Sequence, residues 1–597
     1  MRAVSMTGQA RAITLDAHAR AQARLRTTAA ALGLLALAGA FWAGTAKAAP
    51  VEAPAIRIAE FSPVGSYLAG RVAQSAGDWD LAARHLSQAL QADPGNTGLM
   101  RRAFLLHLGE GNKEEALRLA RRIEGADGES YLASALLVAD DLANNRADQA
   151  LARLPALPSQ GMGQFVTPLL TAWAQAGAGD YDAALAALAP LDQAAGFRPL
   201  KLLQEAVIQD LRGNAEEAGR LYMELARGDG QPLRLVQLTG NFLERQGRTE
   251  EARALYAAFA EGNGANPIAA DALEALDKGR PPQPLIANAH EGLAEAMFEL
   301  GSALHQEGAA EMALLYGRIA LMLDGGLDLA RLMVGDVLAA RDRDAAALSE
   351  YKAVSGAPGI MWAARLRQAD ALRRLERTDE ATKMLSDMAA ERPERTDALI
   401  RLGDIARMDG RYEEAIAAYD RAVKRQEEAG RPEWLAYYLR GLSLDGAKRW
   451  PEAEKDLRAA LELNPDHPSI LNYLGYSYID RGQNLEEARD LVARAVAKRP
   501  DDGHIVDSLG WAKFKLGDYH GAIEDLERAA ELEPAEPTIN DHLGDAYWAV
   551  GRKQEARFQW RRAAQQESAD EALRSAAEQK LKHGLPLPKT AGLPEPQ

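Results

Sequence analysis

Acid–base, metal or nucleophilic chemistry would have to come from the histidines, paired carboxylates and serines of this sequence, and their spacing supports none of it. The ten histidines are scattered, none three or four residues from another, so no helix face carries the paired ligands of a zinc helix. His504 and His542 could meet only across neighbouring elements, with no third ligand near either in the sequence. Gly475-Tyr476-Ser477-Tyr478-Ile479 begins like a nucleophile elbow but lacks its second glycine. The acidic pairs Glu114-Glu115, Glu250-Glu251 and Glu486-Glu487 fall where helices start, and there the helix dipole favours a carboxylate. No Gly-x-x-x-x-Gly-Lys phosphate loop and no cysteine is present, which removes thiol nucleophiles, thiolate metal sites, disulfides and an acylated cysteine. The expectation is a non-enzyme: no catalytic residue, no metal site and no cofactor.

The elements that would position any site are repeats. Residues 505–534, IVDSLGWAKFKLGDYHGAIEDLERAAELEP, read as two short amphipathic helices joined by the turn Gly517-Asp518-Tyr519 and stopped by Pro534. Leu509-Gly510, Ala522, Leu526 and Ala529 mark this unit, and Leu543-Gly544, Tyr547, Gly551, Ala556, Trp560 and Ala563 mark the next, 34 residues on. These marker positions resemble those of the tetratricopeptide repeat family. The second-helix alanine recurs every 34 residues at Ala82, Ala116, Ala150, Ala184, Ala218 and Ala252, and resumes at Ala313, Ala347, Ala381 and Ala415. After slips of four residues and one residue it continues at Ala453, Ala488, Ala522 and Ala556. The unit around Ala150 is weak, with Asn145-Arg146 where a turn glycine would sit. The resemblance implies an all-α, right-handed solenoid of about fourteen helix-turn-helix repeats, closed by a C-terminal capping helix.

The ends of the chain and one interruption complete the expected organisation. Five arginines precede the uncharged run 29–42, and Ala46-Lys47-Ala48 follows as a cleavage signal, so residues 1–48 read as a signal peptide. The alternative is an uncleaved inner-membrane anchor formed by residues 27–46. Either way the body is expected outside the cytoplasm, periplasmic or secreted. A leader linker covers 49–62 and an N-terminal repeat array 63–262. A Pro-rich insertion at 263–290 reads as a linker between two superhelical segments, or as a longer loop in one continuous array. A second array covers 291–566, a capping helix 567–584 and a Pro-rich disordered tail 585–597.

A composition of 47% hydrophobic and 26% charged residues is a folding one, and the net charge of −16 gives no electrostatic footprint for nucleic acid. The resemblance implies a concave wall made by the first helix of each pair, where an extended or helical peptide binds. Counting from the glycine of each Leu-Gly pair, the implied groove residues are Asn472, Tyr476, Asp507, Trp511, Phe514, Asp541, Asp545 and Trp548, with Ile479 and His504 beside them. The alternative is that Trp511, Phe514 and Trp548 pack between successive first helices or against the cap. The expected function is an exported scaffold or adaptor for protein or peptide partners in bacterial envelope biogenesis, of outer-membrane proteins or lipoproteins. A glycan-binding accessory of polysaccharide export is the alternative, since aromatics beside carboxylates also suit sugars. Peripheral membrane association and oligomeric state are left open.

Overall fold

The computed structural model describes residues 62–126, 130–157, 160–194, 196–227, 231–262, 266–279 and 282–585. The expected signal segment 1–48 with its anchor alternative 27–46 lies outside the described residues, as do the leader 49–62 and the tail 585–597 apart from Ser62 and Leu585. The described residues form thirty α-helices and two short 3-10 segments, with no strand among them. The chain is an α-solenoid of stacked helix pairs.

Two features of the repeat set the pairing. All fourteen register alanines, Ala82 through Ala556, are 0% exposed, because only a methyl group fits where neighbouring helices approach most closely. The glycine of each first helix makes room for a large side chain of the second. A Cβ on Gly510 would lie 2.6 Å from Leu526 Cγ, one on Gly475 2.7 Å from Val492 Cγ1, and Gly544 is covered in the same way by Trp560. The turn between the helices needs a left-handed residue, which Gly517 supplies at φ +88°. In the unit around Ala150 the same conformation is taken by Asn145 at φ +56°, so the repeat closes without its glycine. Pro451 sits in the first turn of the helix Trp450–Leu463, where its missing N–H costs nothing.

The described chain packs as two compact units that divide between Met384 and Leu385. In the unit that ends at Met384, the helices Ala289–Gln306 and Ala310–Leu323 fold back onto earlier first helices: Thr97–Gly109, Tyr131–Ala143, Gly163–Gly177 and Arg198–Arg212. The contacts are close and polar as well as apolar. Gly292 lies against the Trp173 ring with no room for a Cβ, Arg318 Nε donates to the Gly109 carbonyl at 2.9 Å, and Arg343 pairs with Glu110. Arg234 grips Glu295 with Nε and Nη2, the latter at 2.6 Å, both residues being buried. The insertion at 263–290 contains the helix Pro267–Asp277, which docks on Pro358–Arg374, where the Gly359 N–H donates to Asp271 at 3.0 Å. Packing in this unit therefore runs across 263–290, where the sequence reading places a boundary, because the hairpin that follows shares a core with the repeats that precede.

The unit from Leu385 stacks five helix pairs. Their first helices are Asp397–Met408, Trp434–Gly446, Pro468–Arg481, Gly503–Leu516 and Pro537–Ala549. The helix Glu571–His583 packs on the last pair and buries Ala577 in its core.

Candidate functional site

The eight residues carried over from the repeat pattern all lie on the helices Pro468–Arg481, Gly503–Leu516 and Pro537–Ala549 of this second unit. Neighbouring first helices in this set touch one another, so their inner faces form one wall. The structure divides the eight into residues tied up inside the protein and residues left on the wall.

Asp507, Asp541, Asp545 and Trp548 are tied up. Asp507, 5% exposed, faces His542, whose Nδ1 lies 3.0 Å from each carboxylate oxygen. Burial alone would push the imidazole pKa down; the Asp507 carboxylate outweighs it and holds the pKa above the ordinary value. Asp545, 4% exposed, accepts the Trp560 Nε1–H at 2.8 Å and Lys580 Nζ at 2.8 Å, and Lys580 also donates to Asp541 at 2.7 Å. Burial disfavours the Lys580 charge, but Asp545 and Asp541 together keep its pKa raised. Trp548 packs 5.2 Å from Trp560 and donates its Nε1–H to the carbonyl of Leu585 at 3.0 Å. Three of these four close the array against the helix Glu571–His583. Ile479, at 0% exposed, is core.

Asn472, Tyr476, Trp511 and Phe514 are only partly buried. Trp511 stacks between Phe514, at 4.7 Å, and the ring of His542, at 3.9 Å, both within 8° of parallel. Asn472 Oδ1 is buried with no donor. Burial, with Asp507 and Asp480 beside it, pushes the Tyr476 hydroxyl up to about 12, so it stays protonated and able to donate. Asp480, His504 and Lys515 stand exposed around these four, with Lys515 Nζ 4.7 Å above the Trp511 ring. The strip offers flat apolar faces, one phenolic donor and one amide acceptor without a partner. That set suits an extended polypeptide, whose backbone supplies both donors and acceptors.

Sequence reasoning missed His542 as the partner of Asp507, and Lys580 and Leu585 as partners of the last repeat. The signal was faint: His542 follows Asp507, and Lys580 follows Asp545, by 35 residues, one repeat plus one. Among the described residues no group of three or more histidine or acidic side chains is placed to hold a metal ion, and no helix is long and apolar enough to cross a membrane.

Comparison with known proteins matches these elements. One profile of the tetratricopeptide repeat matches residues 366–430 and 438–503, another matches 73–139, and a TPR repeat profile matches 510–551. A TPR repeat-containing protein of Pseudomonas aeruginosa is 30% identical over 220 residues, 37% of this chain and 36% of that one. Bacteriophage adsorption protein A of Escherichia coli is 31% identical over 116 residues, 18% of this chain and 12% of that one. The chain thus covers about a third or less of the length of these relatives. Among solved structures, the APC/C hetero-tetramer Cut9–Hcn1 is aligned over 87% of this chain and 96% of its own, at 15% identity and a TM-score of 0.36. YrrB, described as a TPR protein with an unusual peptide-binding site, is aligned over 33% of this chain and 97% of its own, at 19% identity and a TM-score of 0.27. Over residues 73–139, 366–430, 438–503 and 510–551, this chain carries tetratricopeptide repeats.

Proposed function

We propose that the protein is an exported repeat scaffold that binds protein or peptide partners along the inner wall of its C-terminal unit, in bacterial outer-membrane or lipoprotein biogenesis. The strip of Asn472, Tyr476, Trp511 and Phe514 carries the reading, because it combines half-buried aromatic faces with a buried amide oxygen that lacks a donor. A polar atom left in that state costs about 1–3 kcal/mol, which a partner's N–H would recover. In the first unit the corresponding first helices are covered by the chain's own hairpin, Ala289–Gln306 and Ala310–Leu323, so the free wall belongs to the second unit. Export and the envelope setting rest on the N-terminal sequence alone.

The glycan alternative asks for free carboxylates beside aromatics. Asp507, Asp541 and Asp545 are already engaged by His542 and Lys580, which favours a polypeptide ligand. The test is affinity capture from bacterial envelope extract with the chain beginning at Ala49, alongside Trp511→Ala and Asn472→Ala variants whose melting temperatures match the parent. The expected result is a specific protein that both variants lose. Capture unchanged by either variant would remove this wall from consideration, and enrichment of polysaccharide instead would promote the glycan reading.

A further inference from the structure

The end of the described chain is aimed at the same wall. The helix Glu571–His583 stops at Gly584, which has φ +74° and ψ 178°, a conformation open essentially to glycine alone. Gly584 also lies against the Trp548 ring so closely that no Cβ could be added. Leu585 follows, and its carbonyl accepts the Trp548 Nε1–H at 3.0 Å. Leu585 and the wall residue Phe514 both pack against one apolar cluster around Leu543, Ala546 and Trp560. The glycine turn thus places an extended backbone on an indole at the margin of the strip.

Twelve residues remain, 586–597, with the sequence PLPKTAGLPEPQ. Their prolines preset the extended polyproline conformation, whose rings are read by aromatic faces and whose carbonyls are read by indole or phenol donors. The Trp548–Leu585 hydrogen bond is already a contact of that kind, made one residue before Pro586. At about 3.1 Å per residue the segment reaches about 35 Å, and packed helices stand about 10 Å apart, so Phe514, Trp511, Tyr476 and Asn472 all lie within its span. Lys589, its one cation, can meet the exposed Asp480, and the N–H groups between the prolines can supply the donor that Asn472 Oδ1 lacks.

We propose that residues 586–597 are an intramolecular occupant of the wall, so that a partner binds by displacing the chain's own tail; this rests on the reading of the strip as a peptide site. Tethered this way, a segment of about 100 μM intrinsic affinity meets an effective concentration near 1 mM and lowers the apparent affinity of a competitor about tenfold.

The direct test is fluorescence anisotropy with a labelled peptide of residues 585–597 against the full chain and a chain ending at Leu585, which keeps the Trp548 contact. The shortened chain is expected to bind about tenfold more tightly, and Trp511→Ala or Asn472→Ala in the shortened chain to weaken binding at least tenfold. Equal affinity of the full and shortened chains overturns the proposal. Because the chain has no cysteine, a Lys515→Cys, Lys589→Cys double variant gives a clean second readout. An intramolecular disulfide is expected, whereas a disulfide-linked dimer or a persistently reduced monomer overturns the proposal. If the peptide fails to bind while Trp511→Ala still abolishes partner capture, the tail is not the occupant and the wall stands. If capture too is indifferent to Trp511→Ala, the wall reading itself falls.

Discussion

Replacing Asp507 by Asn removes the counter-charge from an imidazole that has almost no contact with water. The carboxylates acting on His542 are Asp507, Asp541 and Asp545, and they hold its folded pKa above the ordinary value of about 6.5. A base whose pKa rises on folding contributes stability that is fully present below its unfolded pKa and is lost as pH rises through the folded one. The C-terminal unit should therefore melt at a lower temperature at pH 9 than at pH 6. Asp507→Asn should cost about 3 kcal/mol at pH 6 and flatten that dependence; thermal melts of the two chains at both pH values check it, and an unchanged slope would sink the assignment. The same residues mark the limit of what was legible. Repeat spacing placed Asp507, Asp541, Asp545 and Trp548 on first helices, but what each of them touches lies 35 to 39 residues further on. Periodicity along one chain says which face a residue occupies, and says little about which neighbour reaches it across the stack.

Helix pairs were legible because their packing demands a particular residue at a particular place: alanine where helices cross, and glycine where a larger side chain intrudes. The hairpin Ala289–Gln306 and Ala310–Leu323 escaped notice because Ala313 obeys the same register as every other unit, and nothing in the register says which wall a unit will cover. Its trace is the pair of glutamates on one turn of the first of these helices. Glu295 takes Arg234, while burial and the neighbouring Glu295 charge push Glu299 up to about 8, with Arg234 only partly offsetting them. This acid has a folded pKa above its unfolded value, so its contribution is intact at pH 4.5 and below and is lost progressively as pH rises toward 8. Glu299→Gln should stabilise the first unit by about 2 kcal/mol at pH 8, a figure discounted because the side chain is not fully enclosed, and should change little at pH 4.5. Denaturant titrations at the two pH values test this; equal shifts at both would refute it. The docking of Pro267–Asp277 is open to a more local probe. A Cβ on Gly359 would press on the backbone of Pro267 and Ile268, which cannot swing aside as a side chain would. Gly359→Ala should cost about 2 kcal/mol and speed hydrogen exchange across 267–277 while leaving the units beyond 385 unaffected.

At the scale of the whole molecule the open question is how the array reaches its partners. The first described helix, Pro63–Ser75, begins 15 residues beyond the expected cut at Ala48, too close for a long tether and far enough for a peptidase to work on an extended chain. With a net charge of −16 the folded body has no electrostatic attraction to anionic lipid, so any lasting membrane attachment has to come from the N-terminal segment itself. The two readings of that segment therefore separate cleanly. If it is a signal peptide, the full-length gene expressed in a Gram-negative cell yields a protein whose intact mass corresponds to a start at Ala49, released from the periplasm by osmotic shock. Ala46→Arg, which spoils the small-x-small site, then holds the unprocessed form on the inner membrane. If residues 27–46 are instead an anchor, the parent itself keeps its N-terminus and stays with the membrane through a high-salt wash, because the attachment is apolar and salt does not weaken it. A parent chain recovered unprocessed from the cytoplasm would defeat both readings, and the envelope partner proposed for the wall of Asn472, Tyr476, Trp511 and Phe514 would fall with them.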